Sequence, residues 1–207
     1  MAVACTVALA TSGAPALGAT SDVHAAKVST AGISLQYPKA WTAVPLNKSD
    51  LAKMVKSLKK NNPKLASTLQ SASASLSTTV KFYATDLAAG DNGDFSSNVN
   101  VIASKTGGFP SSLDSFASGV ASQYQSLGDQ AEVLGTSATK VSGSPAYRVS
   151  VRVGIKNAAG DPVSARVEQL FVKFGAGSTI VTVTTSEDNT GALDPTAAIL
   201  ASVKRIG

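Results

Sequence analysis

The chain has 207 residues, enough for one domain, and 43% of them are hydrophobic, enough for one packed core. It holds no run of 18 apolar residues, so no helix of it is expected to span a membrane. A single cysteine and a single histidine exclude an intrachain disulfide and leave little for a His- or Cys-ligated metal.

Met1 to Thr20 carries no charged residue and is rich in Ala, Val and Leu, with small-residue sites at Ala14-Pro15-Ala16 and Val23-His24-Ala25. That resembles the apolar and cleavage regions of a secretory leader, although the first cation is Lys27 and none precedes the apolar run. Residues 1–27 are read as a signal-peptide-like export segment and 28–207 as the mature domain, extracellular or associated with the cell surface. Ala2-Val3-Ala4-Cys5 approaches a bacterial lipobox, with Ala2 where Leu is usual, so Cys5 is a candidate lipidation site whose ordinary fate is removal. Cleavage after Ala25 also removes His24, and with it the base that Ser-His-Asp or Cys-His chemistry needs.

Ile33, Leu35 and Tyr37 alternate on one strand face, Lys39-Ala40 turns the chain, and Trp41 to Val44 is expected to return as the hairpin partner. From Ser49, the expected cap, the period changes: Leu51, Met54, Val55 and Leu58 share one helix face, and Lys53, Lys56, Lys60 and Lys64 the opposite one. Asn61-Asn62-Pro63 ends this helix and opens another marked by Leu65, Leu69 and Leu76. Val80 to Leu87 and Asn98 to Ser104 form a second hairpin around Ala88 to Asp94. Ser112 to Leu127 is the clearest helix, with Leu113, Phe116, Val120 and Tyr124 on its apolar face, Ser111 as cap and Gly128 as stop.

Four strands follow: Glu132 to Val141, a turn at Ser142-Gly143-Ser144-Pro145, then Tyr147 to Lys156, Val163 to Phe174 and Thr179 to Thr185. In the second of them Tyr147, Val149, Val151, Val153 and Ile155 alternate with Arg148, Ser150, Arg152, Gly154 and Lys156. Leu170-Phe171-Val172 and Ile180-Val181 put bulky groups on both faces, which requires cover on both sides. Asp194-Pro195 opens a last helix bearing Ile199, Leu200, Val203 and Ile206, with Lys204 and Arg205 at its negative end. The expected fold class is α+β: a single-domain three-layer α/β/α sandwich with a mainly antiparallel sheet, ordered hairpin, helix, hairpin, helix, four strands, helix. Trp41, Phe116, Tyr124, Val151 and Phe171 are its expected core.

This order, with Ile33-Ser34-Leu35-Gln36-Tyr37-Pro38-Lys39-Ala40-Trp41 and Gly143-Ser144-Pro145-Ala146-Tyr147-Arg148, resembles the PsbP-like fold and in particular the small exported LpqN-type proteins of actinobacteria. The resemblance rests on packing and turn residues. It implies an accessory, scaffolding or interaction role and supplies no catalytic residues.

Three short motifs stand in the order used by penicillin-recognising serine enzymes: Ser57-Leu58-Lys59-Lys60, Ser96-Ser97-Asn98 and Lys105-Thr106-Gly107. Their context is wrong, because Ser57 falls mid-helix and the last motif falls in a loop. Asp86, Asp91, Asn92 and Asp94 lack the EF-hand order and its final Glu, and read as turn residues. Gly175-Ala176-Gly177 precedes a strand and reads as a hairpin turn, not a phosphate loop. Glu132, Glu168 and Glu187 lie on separate strands and are expected to be solvated surface groups.

The stretch from Lys48 to Lys64 holds six lysines and one acid, Asp50, so its charge equals the +5 of the whole chain. Lys53, Lys56, Lys60 and Lys64 are the candidate binding residues, facing an anionic surface. At ~1 kcal/mol per lysine near anionic lipid, four give ~4 kcal/mol, a millimolar contact suited to peripheral attachment. No aromatic residues interleave with them, so nucleic acid is not an expected partner. The expected function is that of an exported, non-enzymatic accessory or binding protein of the cell envelope, with no catalytic residue, metal or cofactor assigned. Its expected partner is an envelope protein, lipid or anionic polymer, met as a monomer. An envelope enzyme using Ser, Lys or carboxylates, and a surface-anchored structural lipoprotein, are the alternatives.

Overall fold

The computed structural model describes residues 22–61, 63, 66–67, 70, 80–91, 94–104, 109–126, 128–157, 160–175, 177–187 and 195–206. Leu65, Leu69 and Leu76, expected to mark a second helix, lie outside the described residues. The strands β6 (Ala131–Val141), β7 (Ser144–Lys156), β8 (Pro162–Phe174) and β9 (Gly177–Ser186) form the antiparallel meander that the alternation predicts. Ser142 and Gly143 both hold positive φ, 48° and 81°, as the central pair of a two-residue type I′ hairpin must. The turn is therefore these two residues, and Ser144-Pro145 already belongs to β7. Beyond β9 the sheet continues through β5 (Asn98–Ser104), β4 (Val80–Thr85) and β3 (Thr42–Ala43), in the order β3-β4-β5-β9-β8-β7-β6.

The first hairpin is not the one expected. β2 (Ile33–Pro38) pairs with β1 (Val23–Val28) on one side and with β10 (Lys204–Arg205) on the other, making a separate three-stranded sheet. The turn that follows β2 leads elsewhere: Trp41 N–H donates to Pro38 O at 3.0 Å, the Trp41 ring is buried in the core, and the chain passes on to the larger sheet. Lys204 and Arg205 are likewise strand, not helix. The last helix, α4 (Thr196–Ser202), stops where Val203 turns extended, and Ile206 N–H then donates to Gly32 O at 3.0 Å.

Three helix details differ as well. The basic helix α1 (Lys48–Asn61) begins before Ser49, because Asn47 Oδ1 accepts from Asp50 N–H at 2.8 Å and caps it. The loop of the second hairpin contains a short helix, α2 (Leu87–Asp91), with Asp86 Oδ1 accepting from Ala89 N–H at 3.2 Å. The helix α3 (Leu113–Gln125) is capped by Ser112, not Ser111: its hydroxyl accepts from Ser115 N–H at 3.1 Å.

Register assigns the layers, since cross-strand partners share a face. On one face Tyr147, Val149 and Val151 stand opposite Phe171, Gln169 and Val167, under Phe116, Val120 and Tyr124 of α3. Tyr83 reaches the same face through Asn100, Thr182 and Gln169, and there α1 seats Leu51 and Val55 beside it. The other face carries Phe82, Val101, Val181 and Leu170 in one row and Ala84, Val99 and Val183 in the next. It is covered by Ile33, Leu35 and Tyr37 of β2 and by Ile199 and Leu200 of α4. The sandwich thus has the α/β/α order, with a small sheet sharing one outer layer. Trp41, Phe116, Tyr124 and Val151 are buried as expected, and Phe171 is half-buried.

Phe116 touches Tyr147 at 5.0 Å and Phe171 at 4.7 Å between ring centroids. Phe116→Ala should lower the unfolding free energy by about 3–5 kcal/mol, read as a shifted denaturant midpoint at unchanged slope. An unshifted midpoint would mean that α3 is not anchored by this ring.

Candidate functional site

α1 is amphipathic, and its apolar edge fixes where its lysines go. Leu51 and Val55 are buried with Val44 and Ala66, while Met54 and Leu58 pack against them. Lys48, Lys53, Lys56, Lys59 and Lys60 are all exposed, and Lys64 lies outside the described residues. The structure adds one feature that the charge count misses. Lys53 Nζ sits 2.8 Å from Asp50 Oδ1, with side-chain exposures of 75% and 51%. So exposed a pair contributes little to stability. It does hold the Asp50 carboxyl below its ordinary range, through Lys53 first and Asn47 second. Lys53 is thereby partly neutralised, and among the described residues Lys48, Lys56, Lys59 and Lys60 form no ion pair.

The three strand glutamates are not separate solvated groups. Glu168 is 1% exposed, with Oε2 accepting from Arg148 Nε at 2.9 Å and Oε1 from Arg166 Nε at 2.8 Å. Arg152 Nε donates to both oxygens of Glu187 at 2.8 Å, and its Nη1 donates to Glu132 Oε2 at 2.6 Å. Ser164 hydroxyl also donates to Glu187, at 2.6 Å. Register causes this convergence: Arg152 stands opposite Arg166 on β8 and Glu132 on β6, and Glu168 stands opposite Ser150 between the two arginines of β7. Spacing within each strand could not show it, because the partners come from different strands.

A carboxylate with a guanidinium N–H on each oxygen is stabilised as the anion. Both Glu168 oxygens are thus occupied by guanidinium donors, one from β7 and one from its own strand β8. Glu187 is held below the ordinary carboxylate range, by Arg152 first and by Ser164 next.

The remaining motifs have local explanations. Ser57 is exposed on α1, and the Ser97 carbonyl accepts from Asp86 N–H at 2.8 Å and from Thr85 hydroxyl at 3.1 Å. Lys105, Thr106, Gly107, Asn92, the side chain of Asp91 and Cys5 lie outside the described residues. Gly175, with φ of 57°, turns β8 into β9. His24 is exposed on β1, with its ring 5.5 Å from that of Tyr37, and no hydroxyl hydrogen-bonds it among the described residues. No group of three His, Cys, Asp or Glu side chains is arranged to hold a metal among the described residues.

The whole architecture has a solved counterpart in cyanobacterial PsbP (CyanoP) from Synechocystis, which is 18% identical with a TM-score of 0.54 over 93% of this chain and 98% of that one. The fold is PsbP-like. LpqN, involved in cell envelope biogenesis of Mycobacterium tuberculosis, is 14% identical with a TM-score of 0.48 over 84% of this chain and 83% of its own. The Saccharomyces cerevisiae Ran-binding protein Mog1p is 8% identical with a TM-score of 0.48 over 89% and 96%. No family model and no curated protein matches the sequence. At these identities the likeness is one of fold.

Two outcomes follow from the ion network. Arg148→Met combined with Arg166→Met leaves Glu168 buried and unpaired, and should cost about 3–5 kcal/mol in chemical denaturation. Each single variant keeps one guanidinium, so the double should exceed the sum of the singles. Because Glu187 is depressed when folded, its contribution is complete above the ordinary carboxylate range and disappears as pH falls through the lower folded value. Arg152→Gln should therefore flatten the acid limb of stability against pH, and an unchanged limb would remove Glu187 from the account.

Proposed function

We propose that this is an exported, non-enzymatic accessory or binding protein of the cell envelope, and that it meets an anionic surface through the lysine face of α1. The observation that carries this reading is charge segregation. Within a stretch whose charge equals the net +5 of the chain, buried Leu51 and Val55 fix α1 so that Lys48, Lys53, Lys56, Lys59 and Lys60 face outward. Arg148, Arg152 and Arg166, by contrast, are paired with glutamates. The bound state of Glu168 favours a binding role over catalysis by carboxylates, since both of its oxygens already accept from guanidinium groups. At ~1 kcal/mol each, a few lysines give a weak, peripheral contact, which a protein partner or a lipid on Cys5 would have to reinforce.

The test is the variant with Lys53, Lys56 and Lys60 changed to Gln, measured against the parent on phosphatidylglycerol vesicles and, separately, on an anionic envelope polymer. Stability should stay within about 0.5 kcal/mol of the parent. Binding should weaken with the substitutions and with rising salt, since the Debye length is only about 8 Å at physiological ionic strength. Equal binding of parent and variant at low salt would reduce these lysines to a solvated face. Loss on vesicles alone would identify lipid, and loss on polymer alone would identify the polymer.

A further inference from the structure

We infer that the leader is cut at the Ala16–Leu17 bond, ahead of β1, so that Val23-His24-Ala25 is part of the mature domain and not its cleavage site. The inference rests on the export reading above and sharpens it. All six residues of β1 pair with β2, from Val23 opposite Pro38 to Val28 opposite Ile33. The chain is tied in one residue earlier still, where Asp22 O accepts from Lys39 N–H at 2.9 Å. His24 lies against Tyr37, a buried ring of the main core that itself meets Phe82 at 5.4 Å.

A cut after Ala25 would delete Val23, His24 and Ala25. Pro38, Tyr37 and Gln36 would lose their strand partners, and Lys39 N–H its acceptor. The boundary expected between residues 27 and 28 is worse placed, because it falls inside the strand. Ala14-Pro15-Ala16 has small residues at both positions that a signal peptidase reads, and it leaves everything from Asp22 onward intact. The step is a hydrolysis. One water adds across the Ala16–Leu17 bond, Ala16 leaves as the carboxylate end of the leader, and Leu17 keeps a free α-amine. A consequence is that the mature protein retains its one histidine, exposed on β1 beside Tyr37.

N-terminal sequencing of the protein recovered from the envelope and medium of expressing cells tests this. The expected first residue is Leu17, and any start from Leu17 to Asp22 supports a cut that spares β1. A start at Ala26, or a chain retained from an acylated Cys5, overturns it. Uncut protein confined to the cytoplasm would instead sink the export reading on which it rests. Two variants sharpen the result: Ala16→Leu should make the precursor accumulate, whereas Ala25→Leu, at an exposed strand position, should leave processing unchanged. The reverse pattern would place the cut inside β1.

Discussion

The meander cannot be stable with either face open to water, and that requirement organises the molecule. Leu170 and Val172 of β8 face one side with Val181 and Val183 of β9, while Val167 and Phe171 of β8 face the other. Two covers are therefore needed. α1 and α3 supply one, and the small sheet with α4 supplies the other. The second cover is held by specific contacts as well as by area. The Phe174 ring lies over Gly32, whose φ is 65°, and a Cβ there would collide with the ring. Arg205 stands 5.4 Å above the same ring and donates to Ser144 hydroxyl at 2.6 Å, while Thr179 hydroxyl donates to Ala31 O at 2.8 Å inside the core. Chain positions at the two ends of the sequence are thereby fixed to β7, β8 and β9.

The same face changes character across the sheet. One cross-strand row runs Ala84, Val99, Val183, Glu168, Ser150, so it passes from apolar to ionic between β9 and β8. The apolar part lies under the second cover, and the ionic part carries Arg148, Arg152 and Arg166 at 41%, 45% and 46% side-chain exposure. Such a network is a weak source of net stability, because desolvating Glu168 costs much of what the two guanidinium contacts return. Its physical effect is on register. A one-residue slip of β8 against β7 would move Glu168 and Arg166 to the face under α3, among Val149, Val151 and Phe116, and away from Arg148. The charged residues thus exclude pairings that the valines alone would tolerate.

What the sequence made legible follows from how local each signal is. The four meander strands, the face of α3 and the apolar edge of α1 are periodic within a single segment, and all were readable. The pairing of β2 was not, because its partners are residues 23–28 and 204–205, one inside an apparent leader and the other a cationic pair that fits a helix terminus equally well. Caps slipped by one or two residues for a related reason: Asn47 and Ser112 each have a competing neighbour, Ser49 and Ser111, and the backbone decides between them. The lysine face was legible since it lies on one helix. The Glu168 cluster was hidden, since seeing it requires the register of β6, β7 and β8 together.

The two charged regions differ in how far their fields reach. On β6 to β9 three arginines face three glutamates at hydrogen-bonding distance, so their charges cancel at short range and leave little potential beyond a Debye length of about 8 Å. On α1 Asp50 faces Lys53, and Lys56, Lys59 and Lys60 have no acidic partner among the described residues. A field that a distant anion can sense must come from charges that the fold has not neutralised. By that criterion the paired charges on β6 to β9 serve the sheet, and the exposed cations of α1 keep a field that reaches outward.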